Sequence, residues 1–388
     1  MTLSKRKICA VITARPSYSR IKTLLSAIQK NQALELQLVV AASALLNKYG
    51  NVSEVIEKDG FKIDERIYVV VEGEDTRSMA KTTGLAVIEL STAFYNLKPD
   101  AVIVIADRFE TIAVSIASSF QNIPLIHLQG GEVTGNIDEK VRHANSKLAD
   151  IHFVSNLDAK NRLIKMGENP DSIHNSGCPS IDLAKEIYDN PTLDFDPVLK
   201  YGGVGQIGSW KKEYLVVMQH PVTTEYDEAG KQVLTLLNII NDLNLPTFWF
   251  WPNMDAGSDS TANAIRTFRE TKNPKNILFI KNMMPNDFLR LIANAKCLIG
   301  NSSVGIRESS FLGVPVVNIG SRQMGRIRAE NVIDVNYGKE EIKGAIIKHL
   351  KRKDKFLSSN IYGTGSSGEE IAKLLVNVPL TVVKKITY

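Results

Sequence analysis

This 388-residue sequence predicts two consecutive α/β domains, each a mostly parallel sheet covered by helices on both faces. Three observations lead there. Short runs rich in Val and Ile alternate with longer stretches of helical period, the pattern of a doubly wound sheet. The runs are apolar at nearly every position, as strands are when both faces of the sheet are covered. The pattern then stops at a polar stretch containing Pro and Gly, residues 189–209, and starts again. Strands are expected in the first half at 8–13, 36–41, 101–106, 124–128 and 151–155, with helices at 78–97, 110–121 and 158–166. In the second half strands are expected at 214–219, 247–251, 277–280, 297–299 and 314–319, with helices at 285–295 and 340–351. The domains are therefore expected at 1–180 and 181–365, and the helical segment near the end (366–388) is expected to pack back on the first. Two such units imply an interdomain cleft, with ligands at the carboxyl ends of the strands.

Composition narrows the class. The apolar fraction of 44% is ample for two cores, and a formal charge of +5 with scattered Lys and Arg lacks the basic stripe of a nucleic-acid binder. Cys9, Cys178 and Cys297 form no Cys-x-x-Cys pair, so neither a zinc site nor a disulfide framework is expected. No run approaches the roughly 20 apolar residues of a membrane helix, and the basic start is followed by a strand-like run and lacks the form of a signal peptide. The expectation is a cytoplasmic protein with no metal, no cofactor, no membrane partner and no nucleic-acid partner.

The motifs lie at strand ends. Residues 203–208 match G-x-G-x-x-G, but they precede a strand instead of following one, so they are expected to be a loop and no NAD site. After the first strand, Arg15 is either a phosphate partner or a surface cation. After the strand at 101–106, Asp107 and Arg108 are either a catalytic carboxylate beside a phosphate-neutralising guanidinium or, for Asp107, a helix cap. The next strand ends in His127-Leu128-Gln129-Gly130-Gly131-Glu132, where two glycines allow a backbone to approach a ligand, and Asp138 follows at a helix start. Carboxylates gathered in this way suit proton transfer; capping is the alternative for Asp138. In the second half His220 stands at a strand end, as a phosphate donor or a structural histidine. Asn301-Ser302-Ser303-Val304-Gly305-Ile306-Arg307-Glu308 leads from a strand into a helical stretch, so its amides either receive a pyrophosphate or are capped by Ser302.

Taken in order, several pieces make the sequence resemble the hydrolysing UDP-N-acetylglucosamine 2-epimerases, over about residues 7–363. They are Tyr49-Gly50-Asn51, Asp107-Arg108-Phe109, Gly130-Gly131-Glu132-Val133, Arg142-His143, Gly177-Cys178-Pro179-Ser180, Gln219-His220-Pro221-Val222-Thr223-Thr224, Asp255-Ala256-Gly257-Ser258, Gly300-Asn301-Ser302-Ser303 and Ser321-Arg322-Gln323-Met324-Gly325-Arg326. The resemblance implies a GT-B-like fold, a UDP-sugar substrate, and a homodimer or homotetramer. It implies elimination of UDP through 2-acetamidoglucal and then addition of water, giving N-acetylmannosamine. It assigns acid/base work to Asp107 and Asp138. It assigns UDP-sugar contacts to Arg15, Arg108, His220, Asn253, Ser302, Ser303, Glu308 and Arg322. One departure is plain: the family's animal enzyme has a glutamate where this chain has Gln129, and an amide exchanges no protons near neutral pH. Glu132 is expected to take that work, paired with Asp107. Related enzymes act on UDP-N,N′-diacetylbacillosamine, and non-hydrolysing 2-epimerases and GT-B glycosyltransferases share the fold, so these readings stand as alternatives. Asp255-Ala256-Gly257-Ser258 and Arg266 fall where the animal enzyme binds its CMP-sialic acid inhibitor.

Overall fold

A computed structural model describes residues 5–47, 51–73, 75–134, 137–252 and 257–387. The chain divides into two compact units, Met1–Glu132 with Ile137–Asp182 and Tyr362–Tyr388, and Val133–Asn136 with Leu183–Ile361.

Among its described residues the first unit holds seven parallel strands: β1 (Arg6–Ile12), β2 (Leu34–Ala41), β3 (Glu65–Ile67), β4 (Ala101–Ile105), β5 (Leu125–Leu128), β6 (Ile151–Val154) and β7 (Ile173–Asn175). Their order is β3-β2-β1-β4-β5-β6-β7. Successive strands step away from β1 in one direction as far as β3 and, from β4, in the other. The strand order therefore reverses between β1 and β4, where Ile8 pairs with Ala101. Val, Ile and Ala of the central strands are wholly buried on both faces, because helices such as Thr76–Leu97 and Thr111–Phe120 cover one side and Lys22–Lys30 the other.

The second unit repeats the plan with β8 (Val204–Gln206), β9 (Leu215–Met218), β10 (Thr247–Phe250), β11 (Ile277–Ile280), β12 (Cys297–Gly300), β13 (Val316–Ile319) and β14 (Val332–Val335), ordered β14-β13-β12-β9-β10-β11-β8. Its reversal lies between β9 and β12, where Leu298 faces Val216. All ten strands expected from sequence are present, with ends within two residues. The four that were not expected, β3, β7, β8 and β14, are the two edges of each sheet. Edge strands are short and half-solvated, so they lack the continuous apolar run that marks a central strand. One of them corrects a specific expectation: residues 203–208 are not a plain loop, because β8 pairs antiparallel with β11. A Cβ on Gly205 would stand 2.5 Å from the Ile277 carbonyl oxygen, so glycine is there for close backbone approach, not for a dinucleotide.

The helix Ser367–Asn377 belongs to the first unit. Ile371, Ala372 and Leu375 enter the core beside Leu24 and Leu25 of Lys22–Lys30. Gly368 makes that crossing possible: a Cβ there would lie 2.7 Å from the Leu24 nitrogen. Asp182 caps the same helix, accepting from the backbone N–H of Ser367 at 2.8 Å and of Gly368 at 2.7 Å. At the other end Arg6 donates to the carbonyls of Leu375 and Val378, a cation on the last turn. Among the described residues no helix is long and apolar enough to cross a membrane.

Candidate active site

In an open parallel sheet the loops at the carboxyl ends share one edge, and the point where strand order reverses leaves a crevice there. In the first unit that point is framed by the ends of β1 and β4, followed by Arg15 and Asp107. Arg15 opens the short helix Arg15–Ser19 and is half-buried. Asp107 is buried and meets two guanidinium groups: Arg142, in close contact at its Nη2, and Arg20, whose Nη1 is 3.7 Å away. Asp107 does not cap the next helix, since Glu110 holds the N-cap position and makes no side-chain cap bond.

Arg142 organises this edge. It projects from the helix Ile137–Leu148 and is 1% exposed. Its Nη1 donates to the Glu132 carbonyl at 3.0 Å and lies 3.7 Å from Glu139 Oε2. One planar cation thus joins Asp107 after β4 to Glu132 after β5. The Glu132 side chain, also buried, accepts from Ser155 Oγ at 2.6 Å through Oε1. Asp138 sits in the first turn of the Arg142 helix, not at its cap, and is half-buried. Arg142 was visible in sequence as part of Arg142-His143, but nothing local marks it as the partner of a carboxylate 35 positions earlier.

Other expected groups are committed inside the protein. Arg108 Nε donates to Glu110 Oε1 at 3.0 Å, and Glu110 is 1% exposed. The guanidinium expected to neutralise phosphate is therefore shared with an internal carboxylate. His127 is wholly buried, and burial above all drives its pKa down to about 3, so the ring stays neutral. Gln129 adopts φ +62, and its Nε2 donates to Cys178 Sγ at 3.1 Å. The two glycines serve the protein's own packing. A Cβ on Gly131 would stand 2.3 Å from the Ala159 carbonyl oxygen, and one on Gly130 would stand 2.8 Å from His127 Nδ1.

In the second unit the reversal between β9 and β12 brings His220 beside Asn301. The Asn301 side chain clamps the His220 backbone from both sides, accepting from its N–H at 2.8 Å and donating to its carbonyl at 2.8 Å. The Asn301 carbonyl accepts from Gln323 Nε2 at 2.9 Å and from Arg322 Nη1 at 3.3 Å. Asn301 thereby ties His220, Arg322 and the following Ser302–Ser303 into one corner. The clamp needs a close approach of β12 to β9, where a Cβ on Gly300 (φ +128) would lie 2.2 Å from the Met218 carbonyl oxygen. Ser302 occupies an N-cap position without capping through its side chain. The helix expected there is two pieces, Ser303–Ile306 and Glu308–Leu312, broken at Arg307, which has ψ −74. Four residues align few peptide dipoles, so the dipole contribution is smaller than a continuous helix would supply. Glu308 is 8% exposed and opens the second piece. Glu225 braces the turn that carries Arg322, accepting from Ser321 Oγ at 2.5 Å and from Tyr337 at 3.3 Å. Asn253 lies outside the described residues, as do Tyr49, Gly50, Asp255 and Ala256.

Residues 26–376 match the family model described as UDP-N-acetylglucosamine 2-epimerase. A Legionella pneumophila protein named UDP-N,N′-diacetylbacillosamine 2-epimerase (hydrolyzing) is 33% identical, over 97% of each chain. A Neisseria meningitidis UDP-N-acetylglucosamine 2-epimerase is 27% identical, over 96% of this chain and 95% of its own. Among solved structures, a Neisseria meningitidis UDP-GlcNAc 2-epimerase bound to UDP-GlcNAc superposes with a TM-score of 0.78 at 18% identity, covering 95% of this chain and 99% of that one. This likeness carries the fold, two Rossmann-like domains of the GT-B-like class.

Proposed function

Because the chain belongs to the UDP-N-acetylglucosamine 2-epimerase family, we propose that it is a hydrolysing 2-epimerase, converting UDP-N-acetylglucosamine and water to N-acetylmannosamine and UDP. The observation that carries the reading is the buried Arg142 that joins Asp107 to the Glu132 segment at the crevice of the first sheet.

The chemistry explains why such an arrangement is useful. The proton on C2 of the sugar is not acidic, so the C1–O bond must break ahead of its removal. Positive charge then builds at C1 and negative charge on the departing diphosphate. A carboxylate takes the C2 proton, and the C–H electron pair becomes the C1=C2 double bond of 2-acetamidoglucal. Water adds its hydroxyl at C1, and a proton returns to C2 on the opposite face, which inverts that carbon. We assign the proton transfers to Asp107 and Glu132, with Asp138 in support. Arg15, His220, Arg322 and the amides at Ser302 and Ser303 stabilise the leaving diphosphate, where most of the barrier lowering is needed. Arg108, which shares its Nε with Glu110, is a further donor. Glu308 accepts from the ribose hydroxyls, and Asn253 completes the contacts to the UDP-sugar.

A second reading concerns the sugar. The name of the Legionella relative favours UDP-N,N′-diacetylbacillosamine, which undergoes the same elimination and hydration. Incubating purified protein with each UDP-sugar and measuring free UDP and the released sugar tests both. UDP together with free N-acetylmannosamine is the expected outcome; release from the bacillosamine derivative alone selects the second reading. Formation of UDP-N-acetylmannosamine without free UDP would overturn hydrolysis.

A further inference from the structure

Ala106 stands between β4 and Asp107 with φ +57, in the left-handed region where the Cβ of an L-residue crowds its own backbone. Both of its main-chain groups are nevertheless fastened. Its N–H donates to the Leu128 carbonyl at 3.0 Å. Its carbonyl accepts from His127 Nε2 at 2.9 Å and from Asn145 Nδ2 at 3.4 Å. A carbonyl oxygen only accepts, so the His127 proton resides on Nε2, and Nδ1 accepts from the Ser146 hydroxyl at 3.0 Å. Asn145 is fixed in turn by Ser115 Oγ, which donates to Oδ1 at 2.7 Å, and by Thr111 Oγ1, which accepts from Nδ2 at 2.8 Å. His127, Asn145 and Ser146 are wholly buried, so none of them can touch a substrate. With its pKa held down to about 3, chiefly by burial, the imidazole keeps one neutral tautomer across the working pH range.

We infer that His127 and Asn145 are positioning residues, which clamp the Ala106 carbonyl, hold the left-handed turn, and so deliver the Asp107 carboxylate to Arg142. The inference rests on the epimerase reading, in which Asp107 transfers a proton. Without the clamp, alanine relaxes to negative φ, and the Cα–Cβ direction of the next residue turns with it. A proton-transfer group displaced by about 1 Å loses on the order of a hundredfold in rate. The clamp also explains Gly130, whose Cβ would occupy the space of His127 Nδ1 and Ser146 Oγ.

The test is a cycle of His127→Leu, Ala106→Gly and the double variant, with UDP release and calorimetric UDP affinity measured for each. H127L is expected to lose at least tenfold in kcat, with KM moved less than threefold and UDP affinity unchanged. Glycine takes positive φ freely, so A106G alone should stay within threefold of the parent and should restore most of the lost kcat in the double variant. General damage to packing would not be rescued in this way. A folded H127L with kcat within twofold of the parent, or a double variant no faster than H127L, overturns the clamp. If H127L does not fold, Ser146→Ala, which only loosens the ring, takes its place with the same rescue expected and the same result overturning it. A parent protein that releases no UDP from any of these sugars overturns the functional reading instead. The clamp is then decided by the ring 15N shifts of His127: a proton on Nε2 supports it and one on Nδ1 overturns it.

Discussion

Asp107, Glu132 and Arg142 form a unit at the residue scale, because one fully buried guanidinium meets the side chain of the first and the backbone of the second. Lysine, a point charge with one nitrogen, cannot span both. Arg142→Lys is therefore expected to lower kcat at least tenfold in a UDP-release assay while UDP affinity is retained. Arg142→Met takes from buried Asp107 the nearer of its two cations, leaving Arg20 at 3.7 Å, and should cost about 3–5 kcal/mol in urea denaturation. Glu132→Gln keeps the hydrogen bond from Ser155 but cannot take a proton, and a loss of about a hundredfold in turnover is expected, equivalent to roughly 2.7 kcal/mol in the barrier. Gln129 donates to Cys178, so Gln129→Ala should affect melting temperature more than turnover. Near wild-type turnover in Glu132→Gln beside an inactive Gln129→Ala would sink this assignment. In the second unit His220→Ala removes a proposed donor to the leaving group, and a hundredfold loss in kcat is expected, with a normal melting curve.

Between residues and the whole fold lies a knot of elements around Glu168. This carboxylate, 1% exposed, accepts from Lys147 at 2.6 Å, His152 at 3.1 Å and Lys384 at 2.5 Å. Lys384 also donates to the carbonyls of Ser146 and Ala149, at the end of the helix that carries Asp138 and Arg142. Burial alone would raise the Glu168 pKa, but the bonds from His152, Lys147 and Lys384 outweigh it and hold it down to about 2. A depressed carboxylate pKa contributes stability that is full above the ordinary value of 4.5 and is lost as pH falls toward 2. Thermal melts of the wild type should therefore weaken through that window, and those of Glu168→Gln should weaken less. An identical acid response in both proteins would show that the knot does not carry it. Lys384→Met removes one of the three donors and the cation on the helix end, so the melting temperature should fall at pH 7.

For the molecule as a whole, the first unit is closed by a helix that arrives from the far end of the sequence. Leu375 is wholly buried among Leu24, Leu25 and Ile8. Leu375→Ala is expected to cost about 2–5 kcal/mol in chemical denaturation, although the residue stands nearly 250 positions from the sheet strand β5. A change below 1 kcal/mol would mean that the helix is only loosely applied. The ten central strands were legible because burial on both faces writes a nearly continuous apolar run into each. The four edge strands were not, since a strand with one neighbour and one wet side carries no such run.

Strand–helix alternation, the restart after residues 189–209 and the placing of Asp107, Glu132, His220 and Ser302 after strands were all determined by the sequence itself. These are local properties: apolar periodicity and turn chemistry act over a few residues and need no partner. Tertiary structure decided the rest. It placed Arg142 on Asp107, gave Arg108 to Glu110, spent the glycines on the protein's own backbone, set Asn301 around His220 and broke the helix after Ser302 at Arg307. Each of these depends on which charges and hydrogen-bond groups meet across dozens of residues once water is excluded, and no local pattern encodes that meeting.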